Sequence, residues 1–106
     1  MPKFLILASY DVDGVRGIQS AGGSSRRDAV AQALEGVGGT LESFHFSFGD
    51  VDAYVIVDAP DNVTATAVTL TVNATGAVRA KTVVLLTPEE VDAAAQKSVS
   101  YTPPGG

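Results

Sequence analysis

Residues 40–61 read TLESFHFSFGDVDAYVIVDAPD, an alternating segment and a second, more apolar run joined by a turn. In 40–48, Phe44, Phe46 and Phe48 alternate with Ser43, His45 and Ser47, as expected of a strand with unlike surroundings on its two sides. Gly49-Asp50 makes the turn, and 52–58 returns as a second strand that closes an antiparallel hairpin. Pro60-Asp61 stops that strand and offers a cap for a following helix. What flanks the hairpin sets the rest.

Upstream, residues 3–10 are a compact apolar run bounded by Pro2 and by Asp11-Val12-Asp13-Gly14, which reads as a buried strand followed by a turn. Residues 14–20 can form a helical turn before Gly22-Gly23 interrupts. A main helix then starts at Ser24 or Ser25, either of which can cap it. Val30, Ala33, Leu34 and Val37 form its apolar stripe, and Gly36, Gly38 and Gly39 end it. Downstream, 63–74 carries two signals. Its interleaved Thr64, Thr66, Thr69 and Thr71 favour a strand, while Val63, Ala67, Leu70 and Ala74 satisfy a helical stripe between an Asp61 cap and Gly76. On its own residues the segment stays open between the two. Residues 78–86 are a strand. Thr87-Pro88-Glu89-Glu90 then opens an Ala-rich helix to about Lys97, with Thr87 as cap and Glu90 placed to reach back.

Composition narrows the function. With 106 residues the chain fits one domain with a core of its own, assigned to residues 1–97 with a Pro/Gly-rich tail at 98–106. A net charge of -5 with seven basic residues spread along the chain argues against nucleic acid, which needs clustered Lys and Arg. The absence of cysteine removes disulfides, thiolate nucleophiles and Cys-based metal sites. No apolar run approaches the roughly 20 residues needed to span a bilayer, and the N-terminal run lacks the form of a signal peptide. The expected compartment is the cytoplasm, with no membrane and no nucleic-acid partner.

The order strand, helix, strand, strand, helix, strand is the split βαβ of a ferredoxin-like α+β sandwich. Its expected form is βαββαβ, a four-stranded antiparallel sheet with helices on one face, plus a short C-terminal helix. Particular residues go further. An opening strand ends in Tyr10 and a Gly-containing turn, Ser24-Ser25-Arg26-Arg27 enters the first helix, and Gly38-Gly39 stops it. Phe48-Gly49-Asp50-Val51-Asp52 then leads into 53–61, and 76–82 reads GAVRAKT. In this order and spacing, over roughly residues 2–95, the chain resembles the GYD-domain family. Where that family has Gly, a residue, Tyr and Asp, this chain has Gly49, Asp50, Val51 and Asp52, so a role for the family's tyrosine does not carry over. The resemblance implies a helix at 63–74. It also implies a fold like that of the dimeric α+β barrel group, in which two four-stranded sheets face each other. The residues themselves point the same way: strands 3–10 and 78–86 are apolar on both faces, Phe4, Ile6 and Ala8 beside Leu5 and Leu7, and Val78, Ala80 and Val84 beside Val83 and Leu85. One face can cover helices, and the other needs a cover too. The expected partner is a second copy of the chain, as a dimer or higher homo-oligomer.

Candidate site residues are few. His45 is the only histidine; metal sites need three or four donors and catalysis a second oriented group, so no metal and no cofactor are expected. If the strands are ordered as in the ferredoxin-like fold, His45 points away from the phenylalanine stripe, and Tyr54, Arg79 and Lys81 are expected to share its face. His45, Tyr54 and Arg79 are therefore the candidate ligand-binding residues, for a small anion or a phenolic compound. The pairs Asp11/Asp13 and Asp50/Asp52 read as turn formers. Arg26-Arg27 near a helix N-terminus opposes the macrodipole, which an anion or a partner carboxylate would offset. The leading function is an oligomeric small-ligand-binding or assembly module. The alternative, by analogy with barrel relatives, is a cofactor-independent enzyme of oxygenase or isomerase type using a cleft between helices and sheet.

Overall fold

In the computed structural model, which describes residues 1–105, the hairpin is built as read. Strand β2 (Thr40–Phe46) pairs antiparallel with β3 (Ala53–Asp58), Phe44 opposite Val55 and His45 opposite Tyr54, with a bulge between Leu41 and Ser43. Strand β1 (Lys3–Tyr10) pairs antiparallel with β3 on one side and with β4 (Val78–Leu85) on the other. The four strands form one antiparallel sheet in the order β2-β3-β1-β4. Phe48, expected to extend β2, lies beyond it at φ 55°. Its ring nonetheless stacks on Phe46, 5.6 Å between centroids and 7° from parallel.

Two helices, not one, connect β1 to β2. The turn expected at residues 11–14 is the start of a full helix, α1 (Val12–Ala21). Asp11 accepts the Gly14 amide at 2.8 Å, so a side chain suited to a turn serves here as a helix cap. Gly22, at φ 91°, breaks the path, and α2 (Gly23–Glu35) begins directly after it. Its N-cap is Gly22, with no side-chain cap bond, in place of the expected Ser24 or Ser25. Leu34 supplies its buried anchor at 1% exposure; Ala33 and Val37 of the expected stripe are exposed.

The ambiguous segment is α3 (Asn62–Ala74), capped by Asp61, which accepts the Thr64 amide at 2.7 Å. Its threonines fit a helix because their hydroxyls donate to carbonyls one turn back: Thr66 to Asn62, Thr69 to Ala65 and Thr71 to Ala67. The face turned inward differs from the one expected. Ala65 is buried and Val68 and Val72 pack on the core, whereas Val63 and Leu70 are exposed. The core gathers Phe4 and Ala8 of β1, Val55 and Val57 of β3 and Val78 of β4 with Leu34 and Ala65, so α2 and α3 share one face of the sheet. Helix α4 (Pro88–Ala95) opens with the expected capping box between Thr87 and Glu90 and buries none of its residues. It extends the chain to 55 × 34 × 22 Å with a radius of gyration of 16.9 Å, against about 13 Å for a compact domain of this length. No helix among the described residues is long and apolar enough to cross a membrane.

Candidate functional site

Alternation in β1, β3 and β4 sends half their side chains away from the helices, onto an open face. The register aligns them in rows. Ile56, Leu5 and Val83 form an apolar row across three strands, and the next row runs His45, Tyr54, Leu7, Lys81. At one end, the Lys3 ammonium donates to Glu42 and to Asp58, both at 2.9 Å. These two bonds raise the Lys3 pKa above its ordinary value. At the other end, Arg79 and Lys81 line an open groove with Asp50, Leu7 and Ser9.

The three candidate residues do share this face. His45 and Tyr54 are register partners, both solvent-exposed. Arg79 pairs with Ser9, one step along from the row that holds His45 and Tyr54. It is three strands from His45, about 14 Å across the sheet at ordinary strand spacing. Lys81, not Arg79, stands in their row, with Leu7 between it and Tyr54. The arrangement brings an imidazole and a phenol together and leaves the guanidinium apart. Among the described residues no group of three His, Cys, Asp or Glu side chains is placed to hold a metal ion.

The family motif has a structural role. Asp52 donates its amide to Ala8 and accepts the Tyr10 amide on its carboxylate, tying the start of β3 to the end of β1. The family model described as the GYD domain matches residues 4–95. The chain belongs to the GYD family. No curated protein and no solved structure matches it in the corresponding comparisons. Among the described residues of this GYD chain, the buried polar side-chain group left without a partner lies elsewhere.

That group is Arg26. A cavity of about 270 Å³ lies between α1, α2 and the strand ends, with Tyr10, Ile18, Arg26 and Val78 in its wall. Arg26 Nε is buried there without a hydrogen-bond partner, a state that costs on the order of 1–3 kcal/mol. Its guanidinium lies 5.9 Å from the centroid of the Tyr10 ring, within cation–π range. The neighbouring Arg27 instead pairs with Asp28 at 3.2 Å, facing solvent. The sequence singles out Arg26-Arg27 as electrostatically unsettled, but it carries no signal that the two side chains part, or that Tyr10 meets one of them. A second gap, between the sheet and helices α2 and α3, is an apolar space of about 40 Å³ whose polar groups are Tyr10 and Thr69. Thr69 already bonds Ala65 and Thr82.

Proposed function

We propose that this GYD protein is a self-assembling module of ferredoxin-like topology, whose open sheet face is covered by the same face of a second copy. Support for the topology is the central place of β1 between β3 and β4, with the helical connections returning to one side of the sheet. The observation that carries the assembly is the aligned row of Ile56, Leu5 and Val83, apolar side chains on the face turned away from the core that α2 and α3 cover. Val83 is 42% exposed in a single copy, and burial of such surface contributes roughly 25 cal/mol per Å².

Charge favours one arrangement. The end holding Lys3, Glu42 and Asp58 has one cation against two carboxylates, and the end holding Arg79, Lys81 and Asp50 has the reverse. A two-fold axis lying between the two sheets, parallel to them and perpendicular to the line joining the charged ends, sets each end against its opposite on the other copy, an isologous contact with complementary potential. His45 and Tyr54, on the same face, then lie inside the assembly, where a phenolic or anionic ligand would meet them between subunits. Light scattering on the full chain at micromolar concentration tests the reading. A mass of about twice 10.8 kDa, or a higher multiple, is expected; the mass of a single copy would overturn it.

A further inference from the structure

We propose that the cavity between α1 and α2 is a binding site for a small aromatic carboxylate, recognised by Arg26. The proposal does not depend on assembly, because the cavity lies on the helical side of the chain, away from the open sheet face.

Three features define the ligand. The first is the unpaired cation. Arg26 Nε is buried without a partner, and no carboxylate pairs with the guanidinium among the described residues. Arg presents parallel N–H donors that match a carboxylate in two-point geometry. The second is the wall. Apart from Arg26, Ser25 and the Tyr10 hydroxyl, the cavity is lined by Ile18, Val78 and small residues, a surface that takes a ring and not a hydrated ion. The third is size. About 270 Å³ lies just below the range usual for drug-sized ligands, which suits a single ring bearing one charged group. Gly17 helps to keep the space open, since a Cβ placed there meets no atom within 4 Å.

The start of α2 has no side-chain cap bond and no acidic residue in its first turn, but α1 ends at Ala21 directly beside it, so the carbonyl end of α1 offsets the positive end of α2 and Arg26 is left as the charge that selects an anion. A bound monoanion matches that single charge. A phosphate dianion fits less well, because Arg26 is the single cation of the lining.

The test is a titration of the full-length chain with benzoate, followed by backbone amide NMR shifts. Saturable shifts centred on Tyr10, Gly17, Ile18 and Arg26 are expected. Arg26→Gln should weaken binding by about tenfold or more, the effect of removing a charge-assisted pair. Gly17→Leu, which fills the space and favours the helix, should abolish binding with the fold intact. Benzamide, of the same shape without the charge, should bind weakly. The proposal is overturned if benzoate gives no saturable shifts, if Arg26→Gln binds as wild type does, or if benzamide binds equally well. Tighter binding of phenyl phosphate would likewise overturn the carboxylate assignment. Should Arg26→Gln fail to fold, the Gly17→Leu and benzamide comparisons decide.

Discussion

The Asp52 carboxylate accepts the Tyr10 amide at 2.9 Å, and the Asp52 amide donates to the Ala8 carbonyl at 3.0 Å. One residue thus closes the end of β1 against the loop that leads into β3. Asp52→Ala is expected to lower stability by about 1.5–3 kcal/mol in urea unfolding, the range for a hydrogen bond to a charged group. Asp52→Asn keeps an acceptor oxygen and should cost less. Equal losses in the two variants would show that charge, not the bond, is what matters there.

Asn73 protects the outer edge of β4. Its side-chain amide donates to the Ala80 carbonyl at 3.1 Å and accepts the Ala80 amide at 2.6 Å, standing in for a neighbouring strand. Free strand edges template association. Asn73→Ala should therefore cost about 1–2 kcal/mol and raise turbidity on heating more than a surface substitution of equal cost. A clear, reversible melt would refute the edge-guarding role.

Two glycines of α1 should respond in opposite directions. A Cβ on Gly14 would lie 2.6 Å from the Ala77 carbonyl oxygen, whereas one on Gly17 would meet nothing. Gly17→Ala should add up to about 1 kcal/mol from helix propensity. Gly14→Ala should lose stability, because overlap with backbone outweighs that gain. Thermal melts of the two variants side by side check the sign of each.

Two charged contacts fix the direction of pH effects. The Asp61 carboxyl is held below its ordinary value of 3.8 by the Thr64 amide, then by the Thr64 side chain. Its contribution to α3 is complete above that ordinary value and fades as pH falls through the lower folded one. Lys3, raised above 10.5 by Glu42 and then Asp58, behaves in the opposite sense. Its contribution is complete below 10.5 and is lost as pH rises through the folded value. Melting temperature against pH should show Asp61→Asn flattening the acid limb and Lys3→Met flattening the alkaline limb. An unchanged acid limb in Asp61→Asn would remove Asp61 from the account.

If the sheet faces meet as proposed, Ile56→Glu should yield single copies at concentrations where the parent chain is paired. Salt should also weaken pairing, because the complementary ends are exposed before contact. Sedimentation at low and high ionic strength reads both effects.

Strand positions were legible because alternation in 40–48 means a strand between unlike surroundings, and because the short runs at 3–10, 52–58 and 78–86 are bounded by turn residues; the alternation overran the strand by two residues, since β2 ends at Phe46. Caps were legible where side chain and spacing agree, as at Asp61 and at Thr87 with Glu90. At Asp11 they were not, since the same Asp-x-x-Gly serves turns and helix starts, and Ala77 settles the matter from 66 positions away. Helix α3 needed the family resemblance, because threonine hydroxyls that satisfy their own helix leave no trace in propensity. Its buried face also escaped the sequence, which offers apolar residues on both sides. Of the site, the shared face of His45, Tyr54 and Arg79 followed from alternation only together with the strand order of the expected fold. The offset of Arg79 depends on a register that long-range pairing sets, and the meeting of Tyr10 with Arg26 depends on how α1 and α2 fold over the strand ends.

The outlying helix α4 and the tail give a single copy a length of 55 Å against a thickness of 22 Å. Friction in solution follows shape as well as mass, so one such chain diffuses slowly and leaves a gel-filtration column early for its 10.8 kDa. Calibrated against round standards, its elution volume overstates its size. Scattered light, which weighs the particle whatever its outline, separates one copy from two.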